Sequence, residues 1–175
     1  MKSLQPYCIP FTGLKLGKHE FSFTIDKTFF DEFEYSLVKN GKLKLELELD
    51  RQETMLILNF HVKGEIFLNC DVCLAQYPTE IDFKERQIAK FSEKDLEEET
   101  EEIMILHKAD HEINISNLVY EYINLSVPYI NRCGDTGNTQ WCDKEMIEKL
   151  HNLSKNEDQK SLDPRWEALN KIKNN

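Results

Sequence analysis

Residues Lys42 to Asp50 alternate without a break: Leu43, Leu45, Leu47 and Leu49 fall to one side, Lys42, Lys44, Glu46, Glu48 and Asp50 to the other. A period of two held over this length dictates an extended strand with one face on a core and the other in water. Such a strand has to be paired along its edges and covered on its leucine face, so the neighbouring segments must supply both. Asn40-Gly41 supplies a turn before it, and after the 50–54 turn Met55 to Val62 reads as the returning strand. Gly64 punctuates that run, and Glu65 to Leu68 carries the chain on to Asn69-Cys70-Asp71-Val72-Cys73-Leu74. Beyond it Tyr77, Thr79, Ile81 and Phe83 alternate again with Pro78, Glu80, Asp82 and Lys84. Proline cannot donate to a ladder, so this strand begins at Pro78 or lies at an edge there; Arg86 to Phe91 continues it after a bend, and Ile103 to Leu106 is a further short apolar strand.

Upstream, Pro6 to Asp26 reads as extended chain with a turn around Gly13 and Gly17, and Phe21, Phe23 and Ile25 share one face. Asp26 is placed to cap a short helix carrying Phe29, Phe30 and Phe33, aromatics that read as a core plug. Downstream, Ser116 is expected to cap a helix from Asn117 to about Ser126, the main lid over the sheet, which Pro128 stops. Asp143 is expected to cap a second helix through Leu150, and Asn152 to Ser161 reads as a polar linker. Asp163-Pro164-Arg165-Trp166 has the signature of a helix start. The fold class is therefore α+β: an antiparallel sheet, open or partly closed into a barrel, covered by one main helix and followed by a helical C-terminal appendage. Two units are expected, 1–130 and 131–175.

With 22 Lys and Arg against 32 Asp and Glu, the net charge is −10. This does not suit a surface that wraps nucleic acid, where phosphate binding rests on Lys and Arg; it suits a basic partner, or simply solubility. The run 93–102 is dominated by carboxylates and reads as a solvated loop. No apolar stretch is long enough for a transmembrane helix, and the first residues lack the apolar segment of a signal peptide, so a cytoplasmic location without membrane association is expected.

Five cysteines in such a chain point to free thiols or a metal rather than structural disulfides. Cys70 and Cys73 stand two residues apart at a turn between strands, a usual half-site for structural zinc, and Cys133 and Cys142 are the natural second half. His107 and His111 are possible substitutes in that half. Two other readings stay open: a thiol oxidoreductase using Cys70 and Cys73, weakened because no helix follows to lower a thiolate pKa, and ordinary thiols without a metal. Cys8 reads as a core residue. A phosphate-binding glycine loop, His-Glu-x-x-His and Gly-x-Ser-x-Gly are all missing. The sequence thus offers no catalytic residue, no small-molecule substrate and no cofactor site apart from the cysteines.

Five segments together resemble the YceD family: Ile9-Pro10-Phe11-x-Gly13-Leu14-Lys15-x-Gly17-x-His19-x-Phe21, Cys70-Asp71-x-Cys73-Leu74, Tyr120-Glu121-Tyr122-Ile123-x-Leu125-Ser126-x-Pro128, Cys142-Asp143-x-Glu145-Met146 and Asp163-Pro164-Arg165-Trp166-x-Ala168-Leu169. They run in order over nearly the whole chain. The resemblance implies a bacterial, non-enzymatic factor in large-subunit rRNA accumulation or ribosome biogenesis; with the acidic balance, the expected partner is a ribosomal protein or an rRNA precursor particle. A zinc-dependent nucleic-acid-binding module is a further alternative, against which the acidic balance counts.

Overall fold

The strand of alternating leucines is the second of a five-stranded sheet. A computed structural model of the protein describes residues 4–92, 103–107, 109–134 and 139–157. The sheet contains β2 (Gly17–Ile25), β3 (Gly41–Arg51), β4 (Met55–Asn69), β5 (Gln76–Ser92) and β6 (Ile103–His107), in that spatial order. The first four form an antiparallel meander. Leu45 lies opposite Val62, Leu47 opposite Phe60 and Leu49 opposite Leu58, so the leucine face of β3 continues into the even-numbered apolar residues of β4. All six are at most 1% exposed. A short ribbon pairs β1 (Cys8–Pro10) with β7 (Glu112–Asn114), Ile9 opposite Ile113.

Two expectations are corrected. The sheet is open and not a barrel: it runs from β2 to β6, and these two strands do not pair among the described residues. Its apolar face is satisfied from above, by helices and the β1–β7 ribbon, so closure is not needed to bury it. Nor is the sheet wholly antiparallel, because β6 lies parallel to β5, Ile88 opposite Ile103 and Ser92 opposite His107. The acidic run 93–102 lies outside the described residues.

Gly64 does not break its strand. β4 passes through it with φ +146°, and a Cβ there would stand 2.9 Å from Leu43 Cα and overlap the Lys42 carbonyl oxygen. Glycine is what lets β3 and β4 approach at that point.

The covering layer is aromatic. Asp26 caps α1 (Lys27–Phe30), accepting from the Thr28 N–H at 2.9 Å, and α1 buries Phe29 and Phe30. Phe33, just beyond it, stacks on Tyr120 with ring centroids 3.9 Å apart. Tyr7 packs on Phe23 and Phe29 and donates its hydroxyl to the Thr24 carbonyl at 3.0 Å. The main lid is α2 (Ser116–Leu125), which buries Val119 and Ile123. Tyr122 sets its ring edge-on to Phe60 and donates to the Gln87 Oε1 at 2.9 Å. The expected Ser116 cap is displaced: Ser116 is already helical, and Asn114 Oδ1 accepts its N–H at 2.9 Å.

The last described element is α3 (Lys144–Glu157), longer than the expected helix through Leu150, so the linker expected from Asn152 does not begin there. Asp143 Oδ1 accepts the Met146 N–H at 3.1 Å, and Lys149 pairs with Glu145 one turn away at 2.7 Å. Both support the helix at its start. Residues 158–175, with the expected Asp163-Pro164 helix start, lie outside the described residues.

Candidate metal centre

Between the end of β4 and the start of β5 the chain turns through residues 70–75. Cys70 N–H donates to the Ala75 carbonyl and Leu74 N–H to the Cys70 carbonyl, each at 2.9 Å. Leu74 takes the left-handed conformation, φ 61°, that reverses the chain. A non-glycine residue there costs about 1–2 kcal/mol, which the rest of the turn must offset. Its effect is to fold backbone N–H groups over the first sulfur: Val72 N–H points at Cys70 Sγ at 3.5 Å.

A second segment comes down on this turn from the end of α2. Asp71 N–H donates to the Asn131 carbonyl and Asn131 N–H to the Asp71 carboxylate, both at 2.7 Å. This reciprocal clamp delivers Cys133, whose Sγ stands 3.7 Å from Cys73 Sγ. The thiols of Cys70, Cys73 and Cys133 all lie within 4.8 Å of one another, each residue at most 2% exposed. Cys142, half-buried and packed against the core, precedes α3; burial raises its pKa, and the thiols of Cys133, Cys73 and Cys70 act on it. Of the four cysteines expected from the sequence, Cys70, Cys73 and Cys133 form the tight group.

The remaining sequence candidates stand apart. His107 ends β6, its backbone N–H donating to Asp110 Oδ2 at 2.9 Å, and the His111 carbonyl accepts the Phe11 N–H at 3.1 Å. Neither joins the cysteine group, and Cys8 lies on β1 opposite Asn114. Tyr77, which the alternation marked only as a strand residue, is 1% exposed beside the cluster. Burial raises its phenol pKa, a Thr79 hydrogen bond opposes this, and Cys70, Asp71 and Cys133 add to the rise. The clamp residues Asp71 and Asn131 were also missed, since nothing local in the sequence links polar residues so far apart.

The electrostatics of the cluster are uneven. Burial alone would push the Cys70 thiol up, but backbone N–H groups of Cys73, Cys133 and Val72, with the Cys73 thiol, outweigh it and bring the pKa down to about 6. Cys133 goes the other way, pushed up to about 12 by burial first and then by the neighbouring thiols. Without a cation, one sulfur carries the negative charge while Cys133 keeps its proton. A bound cation removes this conflict by displacing the protons.

The donor set fits a soft, tetrahedral ion. Four thiolates are what zinc or an iron–sulfur centre takes, and a Zn–S bond of about 2.3 Å gives a tetrahedron with sulfur–sulfur edges of about 3.8 Å. The observed 3.7 Å between the Cys73 and Cys133 sulfurs is compatible with such an edge. This buried cysteine cluster could hold a metal.

No curated protein and no solved structure matches the chain. One family model does, over residues 58–173, from the first part of β4 through the cysteine cluster and α3; its description is "Large ribosomal RNA subunit accumulation protein YceD". A match of that extent and a cluster built from its segments settle the family: the chain belongs to the YceD family.

Proposed function

We propose that the chain is a non-enzymatic accessory factor in large-subunit rRNA accumulation or ribosome assembly, located in the cytoplasm. In this reading Cys70, Cys73, Cys133 and Cys142 hold a structural zinc ion. The observation that supports the role is the family match over 58–173. The zinc reading is supported by the buried sulfur cluster with its 3.7 Å edge. When bound, the ion would neutralise the thiolates and cross-link the β4–β5 turn to the chain after α2. Protein residues do the rest: the Asp71–Asn131 clamp sets the approach, and the N–H groups around Cys70 keep its sulfur anionic.

Burial favours scaffold over redox chemistry. A nucleophilic thiol must be reached by its substrate, yet Cys70 and Cys73 are at most 2% exposed and lead into a strand, not a helix. A depressed Cys70 pKa serves a metal ligand equally well.

The partner would be a basic ribosomal protein or an rRNA–protein precursor particle. The net charge of −10 supports a basic counterpart. On the exposed sheet face Lys18, Lys44 and Lys63 are already paired with Glu48, Glu46 and Asp82, which leaves these lysines neutralised rather than poised for phosphate. The acidic run 93–102 and residues 158–175 lie outside the described residues. The test is sedimentation of lysate with tagged protein. Comigration with large-subunit precursors at low salt, fading as salt screens the charges, together with reduced large-subunit rRNA in a deletion strain, supports the role. Protein at the top of the gradient at every salt concentration, with normal rRNA, would sink it. Metal analysis of the purified protein, repeated on Cys70→Ser, tests the zinc.

A further inference from the structure

The edge strand β2 lacks the devices that keep an edge from pairing. It lies along β3 over its whole length, Gly17 opposite Arg51 through Ile25 opposite Leu43, without a bulge. Among the described residues no strand stands on its other side. Gly17–Ile25 holds no proline, and its one lysine, Lys18, is tied to Glu48 at 3.0 Å. Proline, bulges and free lysines are what repel an incoming strand. The Tyr7 hydroxyl donates to the Thr24 carbonyl, which keeps a second lone pair for another donor.

The core face of β2 is also incompletely covered. Leu45, Leu47 and Leu49 of β3 are at most 1% exposed, whereas Phe23, Phe21 and His19 opposite them are only half-buried. The covering layer thins over this last strand. It leaves an aromatic row in which Phe21 stacks on Phe23 and Phe23 on Tyr7, with centroids 6.5 and 5.4 Å apart.

The strand complements itself. A copy laid antiparallel about a two-fold axis at Phe21 overlaps all nine residues: Gly17 meets Ile25, Lys18 meets Thr24, His19 meets Phe23, Glu20 meets Ser22, and Phe21 meets its own copy. Opposed residues then share a face, so rings meet rings on the core side, and no like charges meet on the other. An axis at Glu20 would set Glu20 against Glu20, and an axis at Ser22 would shorten the overlap. The free edge of β5 carries Pro78, which disfavours a head-to-tail β2–β5 contact, so the pairing closes at two copies.

We propose that β2 pairs antiparallel with β2 of a second copy about Phe21, joining two five-stranded sheets into one continuous sheet. Nine residues a side fall below the roughly 20–30 of a permanent interface, so the dimer forms and parts with concentration. The inference does not depend on the role in rRNA accumulation or on the metal.

Sedimentation velocity of the full-length protein tests it. Between about 5 and 500 μM chain the expected result is a reversible monomer–dimer equilibrium and no larger species. Ser22 is exposed and meets Glu20 of the second copy twice per dimer. Ser22→Lys should therefore tighten the dimer and Ser22→Glu loosen it, each by about two- to thirtyfold in Kd. Phe21→Glu and Phe21→Lys should each be monomeric alone, and their equimolar mixture should restore a one-to-one dimer, because a residue faces its own copy only on the axis. A wild type that stays monomeric throughout overturns the proposal, as does open-ended assembly. A dimer that both Ser22 changes leave alone, or that both weaken, overturns it too, as does a mixture of folded Phe21 variants that stays monomeric. Should the Phe21 variants fail to fold, hydrogen exchange on the unsubstituted chain replaces them: β2 amides are expected to gain protection at high concentration, and equal protection at both ends of the range refutes the pairing.

Discussion

Replacing Cys133 by Ser should free α3 while leaving the sheet folded. The core of the sheet does not depend on the cluster alone, since Leu45, Leu49, Leu56, Leu58 and Val62 are fully buried in one core with Phe29, Phe30, Val119 and Ile123. With the metal proposed above, the chain after α2 is anchored through it. Without the proposed metal cross-link, the two hydrogen bonds between Asp71 and Asn131 and the partial burial of Met146 remain. At about 0.5–1.5 kcal/mol per hydrogen bond and about 1 kcal/mol for a half-buried Met, these hold the segment by about 2–4 kcal/mol. A helix of 14 residues is marginal on its own. Its amides should therefore exchange only about thirty- to a thousand-fold more slowly than unprotected chain in Cys133→Ser. In the metal-loaded wild type, protection in the first turns of α3 should approach that of the sheet. Hydrogen exchange by mass spectrometry resolves the two segments, and Cys8→Ser, away from the cluster, is the control expected to change nothing. Equal protection of α3 in wild type and Cys133→Ser would refute the clasp as its anchor.

Three further outcomes follow from the same geometry. In metal-free protein, Cys70 has a folded-state pKa of about 6 against an ordinary 9.0, so its contribution to stability is complete above about pH 9 and is lost as pH falls through about 6. Cys133, raised to about 12, contributes below about 9 and is lost as pH rises through about 12. Denaturant midpoints in chelator should thus climb from about pH 6 to about 9, and a flat profile contradicts the assignment. Gly64→Ala forces a Cβ onto the Lys42 backbone at φ +146° and should cost about 3 kcal/mol or more; a loss below about 0.5 kcal/mol in urea unfolding would show that β3 and β4 separate freely there. Tyr122→Phe leaves Gln87, 3% exposed, without its hydroxyl donor and should cost about 1–3 kcal/mol; an unchanged midpoint would mean water replaces it.

Much of the sheet was legible because a half-buried strand writes its period into the sequence, as Leu43 to Leu49 do. Gly64 punctuates the run in sequence, yet Leu58, Phe60, Val62, Ile66 and Leu68 stay in phase across it and the strand continues. That unbroken phase was the available signal. The parallel pairing of β6 was not legible, because a run such as Ile103-Met104-Ile105-Leu106 looks the same whichever way its neighbour points. Composition hid the full length of α3: Asn152, Lys155 and Asn156 resemble a linker, while the stripe at Ile147, Leu150 and Leu153 crosses the predicted stop. At the cluster, the sequence marked Cys70, Cys73 and Cys133 by residue type, and the fold brings these three together. The clamp that positions Cys133 depends on tertiary approach between Asp71 and Asn131, which no local pattern encodes.

The short reach of β6 has a bearing on how the protein behaves at high concentration. β6 pairs only with Ile88–Ser92, so among the described residues no second strand pairs with the first two-thirds of β5. A strand edge of that length with no second strand beside it is a template on which another chain could add a strand and seed aggregation. Here Pro78 removes one N–H from the edge, and Glu80, Asp82, Lys84 and Arg86 stand along its outer face. An incoming strand would have to desolvate these charges in succession. The same alternation that places Tyr77 and Ile81 in the core thus guards the edge against runaway strand addition.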